Sequence, residues 1–109
     1  MKQVVERCRE REMIFRSLKP IEPKRLGSRK RIQIFLGVDM KKYYHVVIFI
    51  EKKSRILRKE AEELMGFHHK VEQLIESKIK YKCILIHAPL CSKAKQLLEE
   101  NGWKVEILG

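Results

Sequence analysis

The 109-residue chain carries 25 Lys and Arg residues against 14 Asp and Glu, a formal net charge of +11 at pH 7. The length fits one domain with its own core, and a hydrophobic content of 44% argues against a disordered basic tail. No apolar run reaches the roughly 18 residues of a membrane span. The first residues lack a signal-peptide core and the three cysteines show no paired spacing, so a cytoplasmic location is expected.

The positive charge is confined to one part of the sequence. Residues 1–58 contain 17 Lys/Arg and 6 Asp/Glu, whereas residues 59–109 contain 8 of each, and every arginine lies in the first segment. Such a field predicts a polyanionic partner, nucleic acid before an acidic membrane surface. The alternative is the Lys- and Glu-rich surface of a thermophile protein, but that surface would mix both signs of charge.

The amino-terminal third is predicted to be a helix followed by a loop. Residues 2–18 have a narrow apolar stripe of helical spacing, which Pro20 ends. Residues 19–31 carry six basic side chains, two prolines and a glycine, with little to bury. They are predicted to form a basic loop.

The remaining residues, 32–108, alternate between strands and helices. Strands are predicted at residues 32–38, 43–51, 83–88 and 103–108, with a turn at 39–42. Ser54 is expected to cap a helix that runs to residue 75, and a second helix opens at Pro89 or Ser92 and ends at Glu100. The later strands should be parallel and joined by right-handed crossovers. The predicted fold is therefore α/β, a single domain over 1–109 with a mixed central sheet flanked by helices.

Glu51 and Lys53 end the most hydrophobic predicted strand. Period-two geometry places them on one face, at the carboxyl edge where open α/β sheets hold their sites. A carboxylate and an amine there can bind a divalent cation and stabilise charge on a phosphate. The Glu-x-Lys spacing alone is weak evidence for such a site, because it recurs by chance in a chain rich in both residues.

The order of elements resembles a known family. The segment VVIFIEKKS (46–54), a long helix, CILIHAP (83–89), a second helix and GWKV (102–105) are similar to the PD-(D/E)XK restriction-endonuclease-like superfamily, and closest to its small archaeal nuclease-like proteins. The resemblance covers residues 31–108. It implies a restriction-endonuclease-like fold with an Asp on one strand and a Glu and a Lys on the next, which bind Mg²⁺ and cleave DNA. By position, Glu51 would be a metal ligand and Lys53 the catalytic lysine, with Asp39 as the candidate for the other catalytic and metal-binding carboxylate.

Hairpin geometry leaves that other carboxylate open. With the short predicted turn, Asp39 lies at the end opposite Glu51, and Lys30 faces Glu51. The second acid is therefore Asp39 across a longer loop, Glu6 or Glu10 from the first helix, or absent from a degenerate site.

A set of basic side chains is expected to bind nucleic acid around this end of the sheet: Lys24, Arg25, Arg29, Lys30, Arg31, Lys52, Arg55 and Arg58. The helix start at Ser54 is expected to add backbone N–H donors to a phosphate. The predicted function is a nucleic-acid-binding protein that acts as a Mg²⁺-dependent DNA endonuclease. A non-catalytic DNA- or RNA-binding module on the same fold, and a protein-interaction subunit with a basic face, are the alternatives. A homodimer through an edge strand at Trp103 is also expected.

Two histidine-containing motifs are interpreted as structural. Cys83, His87 and Cys91 lack a fourth ligand, and buried structural cysteines are commoner than metal-binding ones. His68 and His69 are adjacent on a helix and point about 100° apart, so they are not expected to chelate one metal ion.

Overall fold

The computed structural model describes residues 15–21 and 32–108. Within them the elements are β1 (Phe15–Ile21), β2 (Ile32–Asp39), β3 (Tyr44–Glu51), α1 (Arg58–Ile75), β4 (Tyr81–His87), α2 (Ser92–Glu100) and β5 (Trp103–Ile107). The strands form one sheet in the order β1-β2-β3-β4-β5. Pairing is antiparallel from β1 to β3 and parallel from β3 to β5. The predicted α/β class and mixed central sheet are confirmed.

The centre of the sheet is β3, which is buried on both faces. Residues 46–50 are each at most 9% exposed. Ile48 belongs to the larger hydrophobic cluster, together with Leu64 of α1 and Leu98 of α2, so both described helices cover the same face. Val47 points to a second cluster on the opposite face. Burying one such aliphatic side chain stabilises a fold by about 1.5–3 kcal/mol, so this strand contributes strongly to the stability of the sheet.

The first strand corrects the amino-terminal prediction. Residues 15–18 were expected at the end of a helix and 19–21 in a loop, but Phe15–Ile21 pairs with β2. Pro20 is tolerated because β1 lies at the edge of the described sheet, where a missing N–H costs no ladder hydrogen bond. The predicted helix before residue 15 and the loop from residue 22 lie outside the described residues.

The first helix begins later than predicted. Ser54 was expected to cap it, but α1 starts at Arg58 and its N-cap, Leu57, makes no side-chain capping bond. The cause is tertiary: Ile56 donates its N–H to Pro89 O at 2.9 Å and accepts from Cys91 N–H at 3.0 Å. These two bonds hold the backbone extended, and the proposed phosphate site on a helix start at Ser54 is therefore wrong.

Candidate nucleic-acid interface

Glu51 and His87 meet at the carboxyl edge of the two central parallel strands. The β3–β4 register pairs these residues directly. His87 Nδ1 lies 2.9 Å from Glu51 Oε2, and the two side chains are 54% and 63% exposed. Because parallel strands end at the same edge, the carboxylate and the imidazole face solvent together, within reach of a bound ligand.

The two lysines after β3 have different surroundings. Lys52 Nζ donates to Glu60 Oε1 at 2.6 Å in a partly buried ion pair, so its charge is engaged by α1. Lys53 is exposed in the bend that follows the strand. Because β3 ends at Glu51, period-two alternation does not extend to Lys53, and the predicted shared face does not follow from strand geometry.

Asp39 is not a neighbour of Glu51. It follows the last pair of the hairpin, Val38↔Tyr44, and Tyr44 lies seven residues before Glu51 on β3. Seven residues of strand span about 23 Å, far beyond the reach of one shared metal ion. The prediction that Asp39 and Glu51 bind one metal ion is therefore corrected by the hairpin register.

The Asp39 carboxylate instead organises the β2–β3 turn. His45 Nε2 lies 2.8 Å from Oδ2, and the backbone N–H groups of Lys41 and Tyr43 donate to Oδ1 at 2.8 and 3.0 Å. The hydrogen bond from His45, followed by the two backbone N–H groups, lowers the pKa of Asp39. Three donors converge on one carboxylate, which is the arrangement of a turn-stabilising aspartate.

Among the described residues of β2, Gln33 is the one nearest to Glu51 on the same face of the sheet. It pairs directly with Phe49, two residues before Glu51, so Gln33 and Glu51 are diagonal neighbours on one face of the sheet. The side chain of Gln33 is exposed. The predicted turn, 39–42, would pair Val38 with Tyr43, whereas the observed pair is Val38↔Tyr44; this shift of one residue is why Gln33 was not predicted beside Glu51.

The segments that follow β3 and β4 at this edge carry exposed basic side chains. Arg55 and Arg58 are exposed before and at the start of α1. Arg58 also lines a groove with Lys93 of α2, and its guanidinium lies 3.6 Å from Glu62, a weak exposed pair. We call Lys53, Arg55, Arg58 and Lys93 the basic edge. Lys93 belongs to the half of the sequence with no net charge, so the charge count alone could not assign it.

The pKa of the Cys91 thiol is lowered beside the basic edge. The backbone N–H groups of Ala94 and Lys93 donate to the thiol and lower its pKa, and the charges of Arg55 and Lys93 act in the same direction. Cys83 belongs to the second hydrophobic cluster and Cys91 packs against the first, so the two cysteines do not converge on His87.

The other predicted nucleic-acid-binding residues lie outside the described residues: Lys24, Arg25, Arg29, Lys30 and Arg31. The same holds for Glu6 and Glu10. The described residues on either side of these five, Ile21 and Ile32, lie toward this edge, because Ile21 pairs with Ile34 and Ile32 pairs with Ile50.

The donor set at the edge only partly suits Mg²⁺. Glu51 supplies one carboxylate, and His87, its partner, offers nitrogen rather than the oxygen that Mg²⁺ prefers. Within residues 15–21 and 32–108, no third His, Cys, Asp or Glu joins them in a cluster of metal-ligand geometry. In the same residues, no helix has the length and apolar character needed to cross a membrane.

Solved structures with the same architecture include DNA-processing proteins. EndoMS in apo form aligns with 98% of this chain and 45% of its own, with a TM-score of 0.61 and 19% identity. EndoMS in its dsDNA2 complex aligns over 96% of this chain and 42% of its own length, with a TM-score of 0.54 and 19% identity. A repair endonuclease from Pyrococcus abyssi aligns over 84% of this chain and 38% of its own length, with a TM-score of 0.53 and 18% identity.

The present chain spans less than half the length of each of these proteins. No protein-family model and no curated protein sequence matches it. Identities below one fifth carry the fold rather than the activity. The chain therefore has the restriction-endonuclease-like fold that the sequence predicted.

Proposed function

We propose that this chain binds the phosphate backbone of DNA through the basic edge. The observation that carries the proposal is the placement of Lys53, Arg55, Arg58 and Lys93 around the carboxyl ends of β3 and β4. The likeness in fold to a protein solved with double-stranded DNA supports DNA as the polyanion. RNA is the second choice, because backbone contacts alone discriminate weakly between the two.

Binding follows from simple electrostatics. Guanidinium groups at Arg55 and Arg58 can each take two phosphate oxygens, and Lys53 adds a point charge. These contacts read no base, so affinity is expected to depend weakly on sequence and strongly on salt. Glu51 opposes the phosphates, and its pairing with His87 offsets part of that repulsion when the imidazole is protonated.

Alanine substitution of the basic edge tests the proposal. Arg55→Ala and Lys53→Ala should each weaken binding of a labelled DNA duplex, and each should reduce the salt slope of the binding constant by about one, measured by fluorescence anisotropy. Lys41→Ala is the matched control, because Lys41 is exposed in the β2–β3 turn at the far end of the hairpin. Equal losses in Lys41→Ala and Arg55→Ala would refute a local interface.

A second candidate function is Mg²⁺-dependent cleavage of the bound strand. Glu51, with Lys53 two residues later at the carboxyl edge of β3, favours it. Glu51 would hold the ion, which supplies Lewis-acid stabilisation when bound, and Lys53 would neutralise charge on the phosphate. The neutral amide of Gln33 stands against it, because that position would otherwise contribute a second carboxylate.

Four proteins separate cleavage from binding in a plasmid-nicking assay with Mg²⁺: wild type, Glu51→Gln, Gln33→Asp and the double variant. If the chain is a nuclease, wild type nicks the plasmid and Glu51→Gln does not. If the site lacks only a carboxylate, wild type is inert and Gln33→Asp gains activity that Glu51→Gln abolishes in the double variant. If none of the four nicks DNA while duplex binding persists, cleavage is excluded for this chain and the binding function stands.

The proposal extends to assembly and location. A homodimer through β5 is proposed because β5 ends the described sheet and Ile107 is 49% exposed. A cytoplasmic location is proposed from the cysteine spacing of the sequence. The alternative function is a protein-interaction subunit whose basic edge binds an acidic partner protein. DNA would displace such a partner, so a competition experiment between DNA and the partner tests this alternative.

A further inference from the structure

Three metal-binding side chains meet on the later half of α1, away from the basic edge. One ligand atom from each of His68, His69 and Glu72 lies within 4.8 Å of the other two. His68 follows the start of α1 by ten residues, which is about 15 Å along the helix axis. The cluster is therefore separate from Glu51 and from the proposed DNA interface.

Helix geometry explains why these residues meet. His68 and Glu72 are four residues apart and His69 and Glu72 three apart, the two spacings that place side chains together on a helix surface. The two imidazole centroids are 4.8 Å apart. The expectation that adjacent histidines cannot share an ion considered only the pair, whereas Glu72, one turn later, lies beside both.

The two imidazoles approach different oxygens of Glu72, at distances close to those between the ligands of a tetrahedral ion. His68 Nε2 lies 3.3 Å from Glu72 Oε2, and His69 Nδ1 lies 3.7 Å from Glu72 Oε1. Ligands 2.0–2.1 Å from a tetrahedral ion are about 3.3 Å apart, so small side-chain movements would bring all three into range.

Two further contacts indicate a prepared site. His68 Nε2 is buried and, among the described residues, forms no hydrogen bond despite its closeness to Glu72. Glu72 Oε2 accepts the backbone N–H of Ile79 at 2.8 Å, which fixes the carboxylate against the loop after α1. A nearby cation, Lys82, acts by its charge against a bound metal ion, and its Nζ donates to Asn101 O at 2.7 Å.

We propose that His68, His69 and Glu72 bind a Zn²⁺ ion, with water in the fourth position. Two imidazoles and one carboxylate are a common three-ligand set for zinc, and they disfavour Mg²⁺, which prefers oxygen. All three ligands lie on α1, and Glu72 also accepts the backbone N–H of Ile79 in the loop that leads into β4. The role of the ion is therefore to stabilise this end of the helix.

Zinc titration of the metal-free chain tests the site. Calorimetry should show one Zn²⁺ per chain, and the thermal midpoint should rise with Zn²⁺ concentration because the ion binds the folded state. His69→Ala should weaken binding by about tenfold or more, since even supporting groups of metal sites carry effects of that size. His69 is 76% exposed, so this variant retains the fold.

Gln73→Ala, an exposed neighbour on α1, is the control and should bind Zn²⁺ as wild type does. Glu72→Gln keeps an acceptor for Ile79 N–H and should also lose affinity. The proposal is overturned if wild type does not bind Zn²⁺, or if His69→Ala binds it as tightly as wild type. It is also overturned if the Co²⁺ complex shows a thiolate charge-transfer band, because the ligands would then be cysteines.

Discussion

The carboxylate of Asp39 shows how one residue can have the right chemistry in the wrong place. Its separation from Glu51 along the sequence suited a shared metal site, but the tight hairpin directs it into the turn, where His45 and two backbone N–H groups hold it. Residue type is visible in the sequence, whereas position depends on where a turn begins. In the predicted register, Lys30 faces Glu51. The observed register differs by one residue, and in it Gln33 is the diagonal neighbour of Glu51.

The lowered pKa of Asp39 predicts how stability depends on pH. A carboxyl whose folded pKa lies below its unfolded value of about 3.9 stabilises the fold above that value, and this contribution is lost as pH falls through the folded pKa. Asp39→Asn should therefore lower the urea midpoint at pH 7, and the difference from wild type should shrink below about pH 4.

DNA binding near neutral pH serves as the control for this variant. It should be unchanged in Asp39→Asn, because the turn lies at the end of the hairpin opposite the basic edge. A loss of DNA affinity equal to that of Arg55→Ala, with an unchanged urea midpoint, would contradict the turn assignment.

Most elements of the core were predictable from local pattern. The local sequence pattern marks three elements that the structure contains: β3 by its hydrophobic run, α1 by its apolar spacing, and α2 by Asn101-Gly102, where the helix ends. The errors have a common cause. β1 and the start of α1 are decided by backbone pairing with distant residues, β2 in the first case and Pro89 and Cys91 in the second.

Glycine positions on two elements give opposite predictions. Gly66 lies inside α1, and a Cβ there would meet nothing within 4 Å. Gly66→Ala should therefore stabilise the fold by about 1 kcal/mol, because alanine loses less backbone entropy in a helix. Urea denaturation measures the change.

Gly102 is the matched comparison, since its φ of +81° is a conformation that side chains disfavour. Gly102→Ala should destabilise the fold by about 1–2 kcal/mol. If both alanines changed stability in the same direction, the assigned conformation of one glycine would be wrong.

At the scale of the whole molecule, the fold was predictable and the site only in part. Alternating strands and helices specify the parallel half of the sheet, and the resemblance to restriction-endonuclease-like proteins supplied the rest. The role of His87 was not found, although the two hydrophobic strands end in Ile50-Glu51 and Ile86-His87 and could have been aligned by their ends. Lys93 reaches the basic edge only because α2 packs beside α1.

Self-association is the prediction that belongs to this scale. If β5 pairs with a second copy, sedimentation velocity should show a fraction of dimer that rises with protein concentration. Ile107→Lys should lower that fraction by placing a charge at the edge. Met40→Lys is the control, because Met40 is 69% exposed in the β2–β3 turn. A monomer at all concentrations would exclude the dimer.

The strand pairing brings many backbone ends to one edge of the described sheet. Ile21 pairs with Ile34 and Ile32 with Ile50, so β1 ends and β2 begins at the edge that carries Glu51. The parallel strands β3, β4 and β5 end there too. Sequence changes in the segments that leave this edge should therefore alter ligand contacts while leaving the strand pairing intact.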